Sequence, residues 1–97
     1  MQIRIDPRFG DEVLRRQVEW RLRFSLARHS TRLGVVWVRL RERERNIEVA
    51  IAAHLLDGSE QRAKAENIDP QRALDWALDH LLRELARRPL PVTRRRS

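Results

Sequence analysis

Between Val35 and Glu66 the chain alternates apolar and polar residues in three successive runs, and that pattern leaves few folds open. Val36, Val38 and Leu40 alternate with Trp37, Arg39 and Arg41. Ile47, Val49, Ile51, Ala53 and Leu55 repeat the spacing, and Gln61, Ala63 and Ala65 alternate more weakly with Arg62, Lys64 and Glu66. Side chains of a strand point to opposite faces in turn, so each run makes a strand with one apolar side. The joins are short. Arg43-Glu44-Arg45-Asn46 is too polar for a core and turns the chain. Asp57-Gly58 tolerates the positive φ that a tight hairpin needs. Three strands joined this way make an antiparallel meander whose apolar face must be covered by something else.

Two amphipathic helices are available to cover it. Asp69-Pro70 starts the second of them, with Asp as N-cap and Pro at the first helical position. At about 100° per residue, Leu74, Ala77, Leu78, Leu81, Leu82 and Leu85 fall within one arc about 140° wide. This helix runs to about Arg88, where Pro89 and Pro91 stop it. Residues 12–30 predict the first helix, with Leu14, Val18, Leu22 and Leu26 on its inner arc. Val13, Trp20, Phe24 and Ala27 form a separate arc, expected to pack partly on the other helix and partly to face a partner.

Gln2–Ile5 reads as a short strand ended by Asp6-Pro7 and Gly10, and Gly34 reads as the turn before the second strand. The order is therefore β-α-β-β-β-α: an α+β fold with a four-stranded sheet and two helices packed on one face. The open face of that sheet would carry Arg4, Trp37, Arg39, Arg41, His54, Arg62 and Lys64. One domain is expected over residues 1–88, with residues 89–97, PLPVTRRRS, as a loose basic tail.

With no cysteine, disulfides, thiol catalysis and Cys-based zinc sites are excluded, and a reducing compartment such as the cytoplasm is the expectation. The N-terminus lacks the apolar run of a secretory signal, and no stretch approaches transmembrane length. The net charge is +7. It is concentrated: residues 11–33 hold six arginines against three carboxylates, and Arg94, Arg95 and Arg96 stand together near the end. Of the 21 cations only Lys64 is lysine. A guanidinium forks two hydrogen bonds onto a phosphate, so the bias suits a polyanion, while a GC-rich genome would give the same bias through its arginine codons.

Opposite the leucines of the last helix lie Arg72, Trp76, Asp79, Arg83, Arg87 and, at the margin, His80. Trp76 is not where burial would put it, and its neighbours at i+4, i+7 and i+11 are His80, Arg83 and Arg87. Helix-dipole matching accounts for acidic residues preceding basic ones along this helix, but not for the tryptophan.

The order of elements, together with particular segments, resembles the ribosome hibernation promoting factor and ribosome-associated inhibitor family. Asp69 stands at the acidic start of that family's last helix, Ala73-Leu74-Asp75 at its Ala-x-Asp, His80-Leu81 at its basic-Leu pair, and Arg83, Leu85 and Arg87 at the end of the motif. In the first helix, VEWRLRF (18–24) is similar to the family's Val-x-x-basic-Leu segment, placing Arg21 and Leu22, and VVWVRL fills its second strand. The likeness covers residues 1–88. Gln71 replaces a common tyrosine and His80 a typical lysine.

The resemblance implies a short form without the C-terminal dimerisation domain of longer members. It implies binding to the small ribosomal subunit through ribosomal RNA, in the channel used by messenger and transfer RNA, which idles ribosomes under stress. RNA contact is then expected at Arg21, Arg28, Arg72, Trp76, His80, Arg83 and Arg87. For Trp20 and Phe24, packing on the last helix is favoured over RNA contact. Trp37 is open to RNA stacking or to cross-strand packing. The Arg94–Arg96 tail is open to a phosphate grip or to no role.

Two other functions remain consistent with the residues: a protein-interaction stress regulator that self-associates weakly through its sheet, and a general RNA-binding chaperone. Catalysis is not expected. Asp75 and Asp79 sit four apart near a helix start and look solvated, and His29, His54 and His80 fall on three different elements without companions at ligand spacing. No cofactor, metal, membrane or small-molecule substrate is expected.

Overall fold

The computed structural model describes residues 1–88. The tail expected over residues 89–97, with Arg94–Arg96, lies outside the described residues. Within them the order is β1 (Gln2–Ile5), α1 (Glu12–Ser25), β2 (Leu33–Arg43), β3 (Asn46–Leu55), β4 (Glu60–Asn67) and α2 (Pro70–Arg87). The sheet runs β1-β2-β3-β4. β1 lies parallel to β2 because α1 carries the chain back across the sheet. The other two pairings are antiparallel hairpins. This is the expected β-α-β-β-β-α arrangement.

The core lies between the sheet and the helices. Val18, Leu22 and Leu26 come from the first helical region, and Ala73, Leu74, Ala77, Leu78, Leu81 and Leu85 from α2. They meet Val36, Val38 and Leu40 of β2, Val49, Ile51, Ala53 and Leu55 of β3 and Ala63 of β4. Every second residue of β2 and β3 is therefore spent on the core, and the alternate ones are released to the open face.

Caps explain the helix starts. The Asp11 carboxylate accepts from the Leu14 N–H at 2.8 Å, and that of Asp69 from the Gln71 N–H at 2.9 Å. At the other end of α2, the Arg88 side chain ties down β4 by donating to Ser59 Oγ, Gln61 Oε1 and the Glu60 carbonyl.

Three sequence expectations are corrected. The first helix stops at Ser25 and not near residue 30; a 3-10 turn over Ala27–His29 follows. Leu26 has left helical geometry (φ −96°, ψ 3°) while remaining fully buried, so its side chain anchors the turn that redirects the chain into β2. Gly34 does not form the turn: β2 already begins at Leu33, and Gly34 sits at a register irregularity within the strand. Trp20 and Phe24 do not pack on α2. They are 68% and 73% exposed and stack on each other, with ring centroids 5.5 Å apart and planes 8° from parallel. A helix lying on a sheet buries one arc, and Leu22 and Val18 already occupy it.

Asp6 supplies a polar anchor that no sequence pattern signals. The Asp6 carboxylate accepts from the Arg8 N–H at 3.0 Å, from the Arg8 guanidinium, and from the Leu40 N–H at 3.1 Å. It fastens the end of β1 to the middle of β2 before the chain turns into α1.

Candidate nucleic-acid interface

The helical side of the molecule has two outward crests. On α2, the leucines take one arc and leave Arg72, Trp76, His80, Arg83 and Arg87 on the other, all exposed. Trp76 is 54% exposed, a large apolar ring left in water by a helix whose inner arc is fully used. On α1 the crest is Val13, Trp20 and Phe24, each exposed. Three aromatic rings therefore stand free of the core on this side, none of them needed to close it.

Between the crests lies an ion pair. Arg21 Nη2 of α1 is 2.5 Å from Asp75 Oδ1 of α2, with both side chains close to half exposed. Arg83 is paired with Asp79 one turn back, and Arg87 Nη1 lies 3.2 Å from Glu84 Oε2. Exposed pairs of this kind contribute about 0.3–0.5 kcal/mol, so a phosphate can take over either guanidinium at small cost. Arg28, Arg72 and His80 have no ion pair or side-chain hydrogen bond among the described residues. Arg28 stands in the 3-10 turn beyond α1. The fold thus brings Arg72, Trp76, His80, Arg83 and Arg87 onto one stripe, sets Arg21 beside it, and leaves Arg28 at the end of the neighbouring helix.

Arg28 also acts on its neighbour. His29 is held below its ordinary pKa, first by partial burial and then by the charges of Arg32 and Arg28. The Arg32 Nη1 donates to the Leu85 carbonyl at 3.4 Å, placing a cation at the carboxyl end of α2 where the helix dipole favours one.

The open face of the sheet holds a different arrangement. Trp37 lies beneath two guanidiniums, Arg4 at 5.6 Å and Arg39 at 5.4 Å from its ring centroid. Glu48, only 8% exposed, is 3.9 Å from both Arg43 and Lys64. Glu60 joins Arg62 at 2.7 Å and His54 at 3.1 Å. Trp37 therefore packs with cations and not against Glu48: Ala52 is its partner on β3, whereas Glu48 stands opposite Arg41.

Both faces offer forked cations for anions; the helical side adds exposed rings for stacking, and the sheet face the half-buried Trp37. Among the described residues no three His, Cys, Asp or Glu side chains converge to hold a metal ion, and no helix is long and apolar enough to cross a membrane.

No protein-family model and no curated protein sequence matches the chain. Solved structures do match in fold. A ribosomal subunit interface protein from Coxiella burnetii superimposes with a TM-score of 0.74 at 20% identity, covering 89% of this chain and 94% of that one. The Protein Y N-terminal domain of Thermus thermophilus gives 0.69 at 22% identity, covering 89% and 93%. The chain has the α+β fold of these proteins over nearly its whole described length.

Proposed function

We propose that this protein is a ribosome-associated hibernation factor that binds the small ribosomal subunit through ribosomal RNA. One observation carries the reading. Trp76 stands exposed in a stripe of Arg72, His80, Arg83 and Arg87, on a fold similar to that of a ribosomal subunit interface protein. The mechanism is occupancy. The helical side, with Arg21 and Arg28 beside the α2 stripe, fills a negatively charged channel and excludes messenger and transfer RNA. Arginines hold phosphates, and Trp76 stacks on an unpaired base or lies against a sugar. No bond is made or broken, so the protein acts without catalysis or cofactor. Its working place is the cytoplasm, where ribosomes are.

The test is co-sedimentation of Arg83→Glu/Arg87→Glu with isolated small subunits. The reversed protein is expected to melt like the parent and to pellet much less. Unchanged pelleting overturns the assignment of the α2 stripe. Equal pelleting of the parent with small subunits, large subunits and bulk RNA favours a general RNA chaperone, and pelleting with none favours sheet-mediated self-association.

A further inference from the structure

The register of the sheet assembles a second site on the face away from the helices. Across the strands, Arg4, Trp37, Ala52 and Arg62 form one row, and Arg39, Ala50 and Lys64 the next. Both rows put cations or an aromatic on β2 and β4 and an alanine on β3 between them. Strands lie about 4.8 Å apart, so the alanines floor a trough about 10 Å wide between the β2 and β4 side chains. The structure has a depression there of about 630 Å³, lined by Trp37, Arg39, Ala50, Ala52, Arg62 and Lys64 and, at its edge, by the His54–Glu60 pair of the next row. The rows above and below are different in charge. One holds Glu60 opposite His54, and the other holds Glu48 between Arg41 and Glu66. A basic band two rows deep therefore crosses the sheet between carboxylate-bearing rows, from β1 to β4 in one row and from β2 to β4 in the other.

Within the band, Arg4 and Arg39 have no carboxylate partner among the described residues, and both lean on the Trp37 ring. A tryptophan bracketed by guanidiniums beside a small-residue floor is a stacking surface with phosphate donors already in place. We propose that this trough binds a segment of single-stranded RNA. The strand crosses the sheet perpendicular to the β-strands, with an unpaired base over Ala50 and Ala52 against Trp37 and its phosphates on Arg4, Arg39 and Lys64. A duplex is the wrong ligand, because its bases are stacked inside and present no face to Trp37. His80 of α2 also lines the depression, so a strand leaving the trough there meets the helical stripe. This site shares only His80 with the helical interface and does not depend on the ribosomal reading.

The test uses the full chain carrying Trp20→Phe and Trp76→Phe, which leaves Trp37 as its sole tryptophan. Short oligo(A) RNA is titrated against its fluorescence, first single-stranded and then annealed to oligo(U). Saturable quenching by the single strand alone is expected. Arg4→Glu and Arg39→Glu, which break no ion pair, should each weaken it about tenfold with unchanged melting. No quenching, or equal quenching by the duplex, overturns the proposal. So does concentration-dependent shielding of Trp37 without RNA, which gives the face to a second copy of the chain. No ribosomal subunit is present, so failure here leaves the helical interface standing, and failure of subunit sedimentation leaves this site standing.

Discussion

Arg21 of α1 and Asp75 of α2 are joined across the helix pair, Nη2 to Oδ1 at 2.5 Å. The contact holds a guanidinium in the valley between the Trp20–Phe24 crest and the Trp76 stripe. Both side chains are close to half exposed, so the pair is expected to contribute less than about 1 kcal/mol to stability. Arg21→Ala and Asp75→Ala should therefore both keep the urea midpoint near that of the parent. They should part company in binding: Arg21→Ala loses affinity for small subunits, whereas Asp75→Ala retains or gains it. Equal losses in both would mean that the pair acts only as a helix tie.

Trp76 and Leu81 lie on opposite arcs of α2 and should fail differently. Trp76→Ala is expected to cost about 1–3 kcal/mol in RNA affinity, the range for one stacked base, and to leave the melting temperature unchanged. Leu81→Ala, at a fully buried position, should cost about 2–5 kcal/mol in stability. Thermal melts and subunit binding measured on both variants separate the roles; a large stability loss from Trp76→Ala would contradict an outward-facing ring.

Asp6 makes the fold sensitive to acid. Its carboxyl is held well below the usual carboxylate range, chiefly by the Arg8 side-chain hydrogen bond, with the Arg8 and Leu40 N–H groups adding to it against partial burial. A depressed folded pKa means that the unfolded chain binds the proton more readily. The stabilisation is complete above the ordinary carboxylate pKa of about 3.9 and is lost as pH falls from there toward the folded value. Asp6→Asn should lower stability at neutral pH by about 1–3 kcal/mol and flatten the acid limb of a stability–pH curve. An unchanged acid limb in the variant would contradict the assignment.

Glu44 adopts φ 47° in the turn between β2 and β3, a conformation that costs most side chains about 1 kcal/mol. Glu44→Gly should relieve that cost, and a thermal melt should show a stability gain of up to about 1 kcal/mol. A loss would mean that the Glu44 side chain contributes something the turn geometry does not.

Much of the architecture was legible because two periodicities dominate the chain. The period-two runs from Val36 to Leu55 and the leucine arc of α2 each admit one placement, and together they dictate a sheet with helices on one side. Boundaries set by tertiary contacts were not legible. Leu26 continues the apolar spacing of α1, so nothing local marks the helix end; burial of its side chain beside the turn decides it. Gly34 looks like a turn residue, yet pairing with β3 draws it into the strand.

At the candidate site, the α2 stripe could be read from helical geometry alone, since Trp76 and the arginines share one element. The exposure of Trp20 and Phe24 could not, because α1 has two apolar arcs and only its seating on the sheet decides that Val18 and Leu22 are the buried one. The alanine-floored trough was equally hidden: Trp37, Ala52 and Arg62 lie on three strands, and only the register puts them in one row.

The proposed function requires the helical face to grip ribosomal RNA through several phosphates on the small subunit. Its most direct test is sedimentation of the purified chain with small subunits, large subunits and bulk RNA over a salt series. The account predicts saturable pelleting with small subunits alone, with log K falling by about 0.7 to 0.9 per phosphate contact for each log unit of salt. Binding that ignores salt, or no binding to small subunits even at low salt, would contradict it.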